Sequence, residues 1–153
     1  MNTTTRTTIE LVINRTFRAR RALVFACWVE QEYKEQWQGA PEGFTVTFAE
    51  ADIRVGGSFK LCMRSPEGVD HWLQGRYLRV VKPELLEFTH CWLDSDGQPG
   101  QETLVTITFA DRGKGTELTL RQRGFSSAGS RNGHELGWTS TLDRLTTYLN
   151  EIS

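Results

Sequence analysis

The sequence predicts a two-layer α+β domain, an antiparallel sheet of about six to seven strands packed against a long C-terminal helix. Two observations carry this. Most of the chain alternates apolar and polar residues in short runs joined by turn-forming residues, the pattern of antiparallel strands in hairpin succession. Its last stretch instead repeats apolar residues at helical spacing. The apolar sheet face and the apolar helix stripe each need a partner to escape water, and they supply one another. A length of 153 residues suits one domain and is too short for two of ordinary size.

Residues 1–8, polar and threonine-rich, are expected to form a flexible N-terminus ahead of a single domain over 9–153. Ile9, Leu11, Ile13, Arg15 and Phe17 fall on one side of an alternating run, opposite Glu10, Val12, Asn14 and Thr16, which predicts a half-buried strand. Phe25, Val29, Tyr33 and Trp37 then recur every fourth residue, with Val24 and Trp28 beside them. The apolar block ends near Glu30, so two short helices are expected with a break there.

Alternation returns after the Gly39–Gly43 segment. Phe44, Val46 and Phe48 are expected to share a face, followed after a Gly56-Gly57 turn by Phe59, Leu61 and Met63. A strand from about His71 to Val81 precedes a tight turn at Lys82-Pro83-Glu84, then Leu86, Phe88, His90 and Trp92 continue the inward series. Asp94 to Gln101 reads as a polar loop. Thr103, Val105, Ile107 and Phe109 form the next strand, and Leu118, Leu120 and Gln122 the last, after a turn at Asp111 to Gly115. Ser126 to Gly133 reads as a Ser/Gly-rich connection. Trp138, Leu142, Leu145, Leu149 and Ile152 then follow at steps of four, three, four and three, the apolar stripe of a long helix.

Composition excludes several classes. With 38% hydrophobic and 24% charged residues, the chain is neither disordered nor collagen-like. Lys+Arg 18 against Asp+Glu 19 leaves no positive excess to hold phosphates, so no nucleic-acid partner is expected. Cys27, Cys62 and Cys91 show no metal-ligand spacing and fit reduced thiols of a cytoplasmic protein. The first residues lack the apolar run of a signal peptide, and no stretch has the apolar length of a membrane span, so no membrane insertion is expected.

A set of short motifs in order is more specific than any of them alone. Arg15-Thr16-Phe17, Val24-Phe25, Trp37, Asp52-Ile53-Arg54-Val55-Gly56-Gly57-Ser58-Phe59, Gly75-Arg76-Tyr77, Pro83-Glu84-Leu85-Leu86-Glu87-Phe88-Thr89, Gly115-Thr116-Glu117-Leu118-Thr119-Leu120, His134 and Gly137-Trp138 resemble proteins similar to the C-terminal domain of the activator of Hsp90 ATPase. The resemblance spans about residues 9 to 150 and implies the helix-grip fold, shared with START domains and the birch-pollen allergen, in which a curved antiparallel sheet grips the C-terminal helix. One departure is Arg18-Ala19-Arg20, where many relatives carry Ala-Pro before the first helix. The wider group includes carriers of apolar ligands, aromatising cyclases and co-chaperone domains, so the resemblance implies a fold without choosing a function.

A curved sheet around one helix leaves a cavity, because a cylinder does not fill a wide concave face. The expected function is binding of a small hydrophobic or amphipathic molecule there. Strand and helix phase place Phe59, Met63, Tyr77, Phe88, His90, Trp92, Val105, Ile107, Leu120, Gln122, Trp138 and Leu142 as its ligand-binding wall. Trp28, Trp37 and Trp72 would widen that wall where they converge with Trp92 and Trp138.

Arg15 has the inward phase of its strand. It reads either as the anchor for a ligand's polar head or as a structural ion pair with Asp52 or an acid on the C-terminal helix. His90 reads as a general base or a satisfied core histidine, and Gln122 as a polar wall or a sheet-end residue near solvent. His71 and His134 lack a third ligand, and Gly56-Gly57 is not followed by a helix, so neither a metal nor another cofactor is expected.

Lys60, Arg64, Arg121 and Arg123 share the outward phase with Glu10, Glu87 and Glu117, which predicts cross-strand pairing on a solvated face. No catalytic residue is assigned. A cyclase-like enzyme using His90 or Tyr77 is a rival reading, and a protein-interaction domain is another. Hsp90 is not the expected partner, for want of the co-chaperone's additional N-terminal domain. A homodimer is compatible with the sequence.

Overall fold

The structure, a computed structural model, describes residues 9–37 and 43–152. The expected flexible N-terminus and all but Gly43 of the glycine-containing turn after Trp37 lie outside the described residues.

Strand β1 (Ile9–Phe17) leads into helices α1 (Arg21–Val29) and α2 (Gln31–Trp37). Six strands follow: β2 (Thr45–Ala51), β3 (Ser58–Arg64), β4 (Asp70–Val81), β5 (Leu85–Leu93), β6 (Pro99–Arg112) and β7 (Gly115–Phe125). Helix α3 (Ala128–Ile152) ends the described chain. The seven strands form one curved antiparallel sheet in the order β1-β7-β6-β5-β4-β3-β2, the helix-grip arrangement. Sequential hairpins give β2 to β7, while α1 and α2 carry the chain from the β1 edge to the β2 edge.

Glu30 separates the first two helices, as its place in the apolar pattern predicts. The entry to α1 lacks a side-chain cap at Arg20. It is held instead by Thr116, whose hydroxyl donates to the carbonyl of buried Ala19 at 2.6 Å. This neutral bond replaces the rigid start that a proline supplies.

The core lies where α1 and the second half of α3 cover β1, β6 and β7. Leu11, Phe17, Phe25, Phe109, Leu118 and Leu145 are nearly or fully buried there. Val105, Ile107, Leu120 and Leu142, each at 0% exposure, belong to the same packed core. Ile152, at the end of the helical stripe, is exposed.

Three local features depart from the sequence pattern. A bulge between Val46 and Phe48 inserts one residue into β2 and reverses its phase. Phe48 therefore stands on the outer face against Trp72, 5.6 Å between ring centroids, while Ala49 and Ala51 take the inner face. The connection before α3 is shorter than expected, because Ser127 accepts from the Ser130 amide at 3.0 Å and caps the helix from residue 128. The loop after Asp94 is shorter too, with β6 starting at Pro99.

The outer face is laced by cross-strand pairs. Arg79 forks onto Glu87 at 3.0 and 3.1 Å, Arg64 meets Asp70 at 2.8 Å, Arg121 meets Glu10 at 3.8 Å and Arg112 meets Glu117. The Arg79 guanidinium holds the Glu87 carboxyl below its ordinary range. Lys60 lies over the Trp72 ring at 5.1 Å. The three cysteines are buried and unpaired.

Candidate ligand pocket

Helix α3 covers the β1–β7 side of the sheet and leaves the concave face of β2 to β5 under its first half. A pocket of about 770 Å³ opens there, within the size range of small-molecule sites. Phe59, Leu61 and Met63 of β3, Leu73 and Tyr77 of β4, and Phe88, His90 and Trp92 of β5 form the sheet wall. Phe44, Val46 and Ala49 continue it at the β2 edge. Trp28 closes the side toward the core, 4.8 Å from Trp37 and 6.2 Å from Trp138.

The facing wall is unusual for a helix. Gly129, Gly133 and Gly137 recur every fourth residue along α3 and all line the pocket. A Cβ added at Gly133 or Gly137 would meet nothing within 4 Å. Each glycine costs a helix interior about 1 kcal/mol relative to alanine. Helix geometry alone therefore disfavours this stripe, and its effect is to keep side chains out of the space between helix and sheet.

Gly75 plays the reverse part. It pairs with Phe59 across β3 and β4, and a Cβ there would lie 1.9 Å from the Thr89 carbonyl oxygen and 2.3 Å from the Phe59 ring. Its missing side chain lets Phe59 lie against Tyr77 and Phe88, at centroid separations of 5.6 Å each. The Gly56-Gly57 turn fixes Tyr77 from the other end. The Gly56 amide donates to the Tyr77 carbonyl and the Tyr77 amide to the Gly57 carbonyl, both at 2.8 Å.

A neutral hydrogen-bond network backs the pocket. Trp138 donates its indole N–H to Gln122 Oε1 at 2.8 Å. The Gln122 amide nitrogen donates to Thr103 Oγ1 at 2.8 Å and approaches His90 Nδ1 at 3.4 Å. Thr103 in turn donates to the His90 carbonyl at 3.1 Å. With Nδ1 accepting, His90 carries its proton on Nε2. In a second branch Trp92 donates to His134 Nε2 at 3.1 Å, so His134 holds its proton on Nδ1 and gives it to the Ser130 carbonyl at 2.7 Å.

Burial, with His134 beside it, pushes His90 down to about 3. The histidine is thus a neutral donor at any ordinary pH. The sign of the stability effect follows. Below pH 6.5 the unfolded chain takes up a proton here that the folded chain refuses, so acid destabilises the fold by up to about 1.4 kcal/mol per pH unit. Urea unfolding at about pH 6.5 and about pH 5, a window above most carboxylate titration, is expected to show this loss. His90→Gln is expected to flatten it, and an unchanged slope in that variant would assign the loss elsewhere.

Of the residues predicted for the site, Phe59, Met63, Tyr77, Phe88, His90, Trp92 and Trp138 are brought together on the pocket wall. Gln122 is 0% exposed and lies behind Trp138, neither on the wall nor near solvent. Val105, Ile107, Leu120 and Leu142 share the predicted phase but sit in the core, because α1 and α3 cover β6 and β7. Arg15 does not reach the pocket: it pairs with Asp143 on the second half of α3 at 2.9 Å, and Asp52 pairs with Arg54 instead. Trp37 packs behind Trp28, and Trp72 faces the opposite side of the sheet.

Trp28 joins Trp92 and Trp138 on the wall, as their convergence would require, while His134, Lys34 and the α3 glycines line the pocket without having been expected there. The glycines carried a signal, their four-residue period running into Thr141, masked by reading their first members as a connection.

A family model described as activator of Hsp90 ATPase homolog 1-like protein matches residues 18–150, from just after β1 almost to the end of α3. The chain belongs to this family. Solved structures agree. The chain is 28% identical to the AHSA1 protein from Silicibacter pomeroyi, covering 95% of this chain and 100% of that one with a TM-score of 0.84. A protein from Chromobacterium violaceum is also 28% identical, over 92% of this chain and 96% of its own, with a TM-score of 0.81. One from Nitrosomonas europaea is 25% identical, over 93% and 94%, with a TM-score of 0.75. No curated protein matches the chain.

As a member of the activator of Hsp90 ATPase homolog 1-like family, the chain has the fold that its ordered motifs imply. Among the described residues, no helix is long and apolar enough to cross a membrane, and no group of three or more His, Cys, Asp or Glu is arranged to hold a metal ion.

Proposed function

We propose that this protein binds a small hydrophobic or amphipathic molecule in the pocket between β2–β5 and the first half of α3. The observation that carries the reading is the pairing of an aromatic sheet wall with a helix face stripped to glycine. A domain needing only stability would place alanine or leucine along α3 and fill the space. Here a volume of about 770 Å³ is left beside Phe59, Tyr77, Phe88 and Trp138.

Three wall residues also carry neutral polar groups left unpaired among the described residues. The Trp28 indole N–H is buried without a partner. His90 Nε2 and the Tyr77 hydroxyl belong to residues of the same wall and have no hydrogen-bond partner among the described residues. Burial raises the Tyr77 phenol above its ordinary value, so it stays protonated. These donors suit an acceptor on an otherwise apolar ligand, such as a carbonyl or ether oxygen.

Tryptophan fluorescence tests the reading, because Trp28, Trp92 and Trp138 all border the pocket. Titration with fatty acids, sterols, flavonoids and polyketide-like aromatics is expected to give saturable quenching by at least one class. The quenching amplitude should fall in Trp138→Phe, with Trp28 and Trp92 still reporting from the wall. No change with any class would remove the binding reading.

A further inference from the structure

We propose that the pocket selects molecules bearing an acid group, and that Lys34 receives it. The inference rests on the binding reading above and specifies its ligand class. Lys34 lies on α2, whose neighbouring Tyr33 and Trp37 pack into the core, so the helix holds the lysine stem against the pocket. The residue is half-buried, and among the described residues its ammonium forms no ion pair or hydrogen bond. Burial lowers its pKa to about 8, which leaves it charged at neutral pH but poorly hydrated.

Lys60, Glu35 and Glu50 also line the pocket, and none of them forms an ion pair with Lys34 among the described residues. Lys60 lies over the Trp72 ring on the outer face, and Glu50 pairs in register with Lys60 on the same face of the β2–β3 hairpin. Glu35 is exposed and accepts from the Gln31 amide at 3.2 Å. His90 is neutral, and Arg15 is tied to Asp143 away from the pocket. A half-buried cation that forms no ion pair among the described residues, facing a mostly apolar cleft, is unfavourable in the free protein. A carboxylate entering with its apolar tail on the aromatic wall removes that penalty and forms a charge-assisted hydrogen bond.

Isothermal titration calorimetry at neutral pH with decanoate and decanol tests the proposal, since the two share a chain and differ in head-group charge. The wild-type protein is expected to bind decanoate about 10- to 100-fold more tightly than decanol. Lys34→Met, which keeps the stem, should bring decanoate to the decanol value and leave decanol unchanged. Lys34→Arg should retain the preference.

Equal binding of the two probes by the wild type, or a preference that survives in Lys34→Met, overturns the acid selectivity while the pocket reading stands. Binding of neither overturns it as well, and the tryptophan titration then decides separately whether any ligand enters.

Discussion

Replacing Gly75 with alanine is expected to destabilise the protein by about 3 kcal/mol, the upper end of ordinary overpacking. Two effects oppose one another. Alanine restricts the unfolded chain and on that account stabilises by up to about 1 kcal/mol. Against this, its Cβ would stand 1.9 Å from the Thr89 carbonyl oxygen and 2.3 Å from Phe59. A flexible side chain can yield, but the Thr89 oxygen belongs to β5 and moves only with the strand. The clash therefore wins. Urea unfolding of the two proteins measures the difference, and a wild-type midpoint in Gly75→Ala would show that β4 and β5 separate at little cost. Because Phe59, Tyr77 and Phe88 share this contact, weakened ligand binding should accompany the lost stability.

The converse outcome is expected on α3. Leucine at both Gly133 and Gly137 should abolish ligand binding, by at least about 100-fold, while raising stability. Neither position has a neighbour within 4 Å of an added Cβ and both line the pocket, so the new side chains are expected to grow into that space. Each substitution also removes a helix-interior glycine, worth up to about 1 kcal/mol of helix stability. Thermal unfolding together with the tryptophan titration separates the two consequences. A fall in stability would mean that the glycines serve close packing. Undiminished binding in a folded double variant would place the ligand elsewhere.

These opposite responses bear on how far the chain could be read before it was folded. Periodicity located β1, the break at Glu30, the hairpin succession and the apolar stripe of α3. Those features are local, since a side chain's face follows from its position along a strand or helix. The seven inward residues that do meet at the pocket were legible for the same reason. His90 and Trp92 could be placed beside Phe88 by alternation alone.

Phase tells which face a residue occupies, but not what lies opposite. Val105, Ile107 and Leu120 share the inward phase of Phe88, and only the path of α1 and α3 over β6 and β7 makes them core while β3 to β5 face a pocket. Arg15 has the same phase, yet its partner Asp143 is 128 residues away in sequence and is brought to it by the docking of α3 on β1. The bulge at Val46 sends Phe48 outward by inserting one residue, a change the alternating pattern does not announce. The chain's own order thus determined which elements form and which face of each is apolar, through the geometry of strand and helix. The tertiary arrangement decided which stretch of that face is filled and which is left open, because this depends on where one helix crosses a sheet wider than itself.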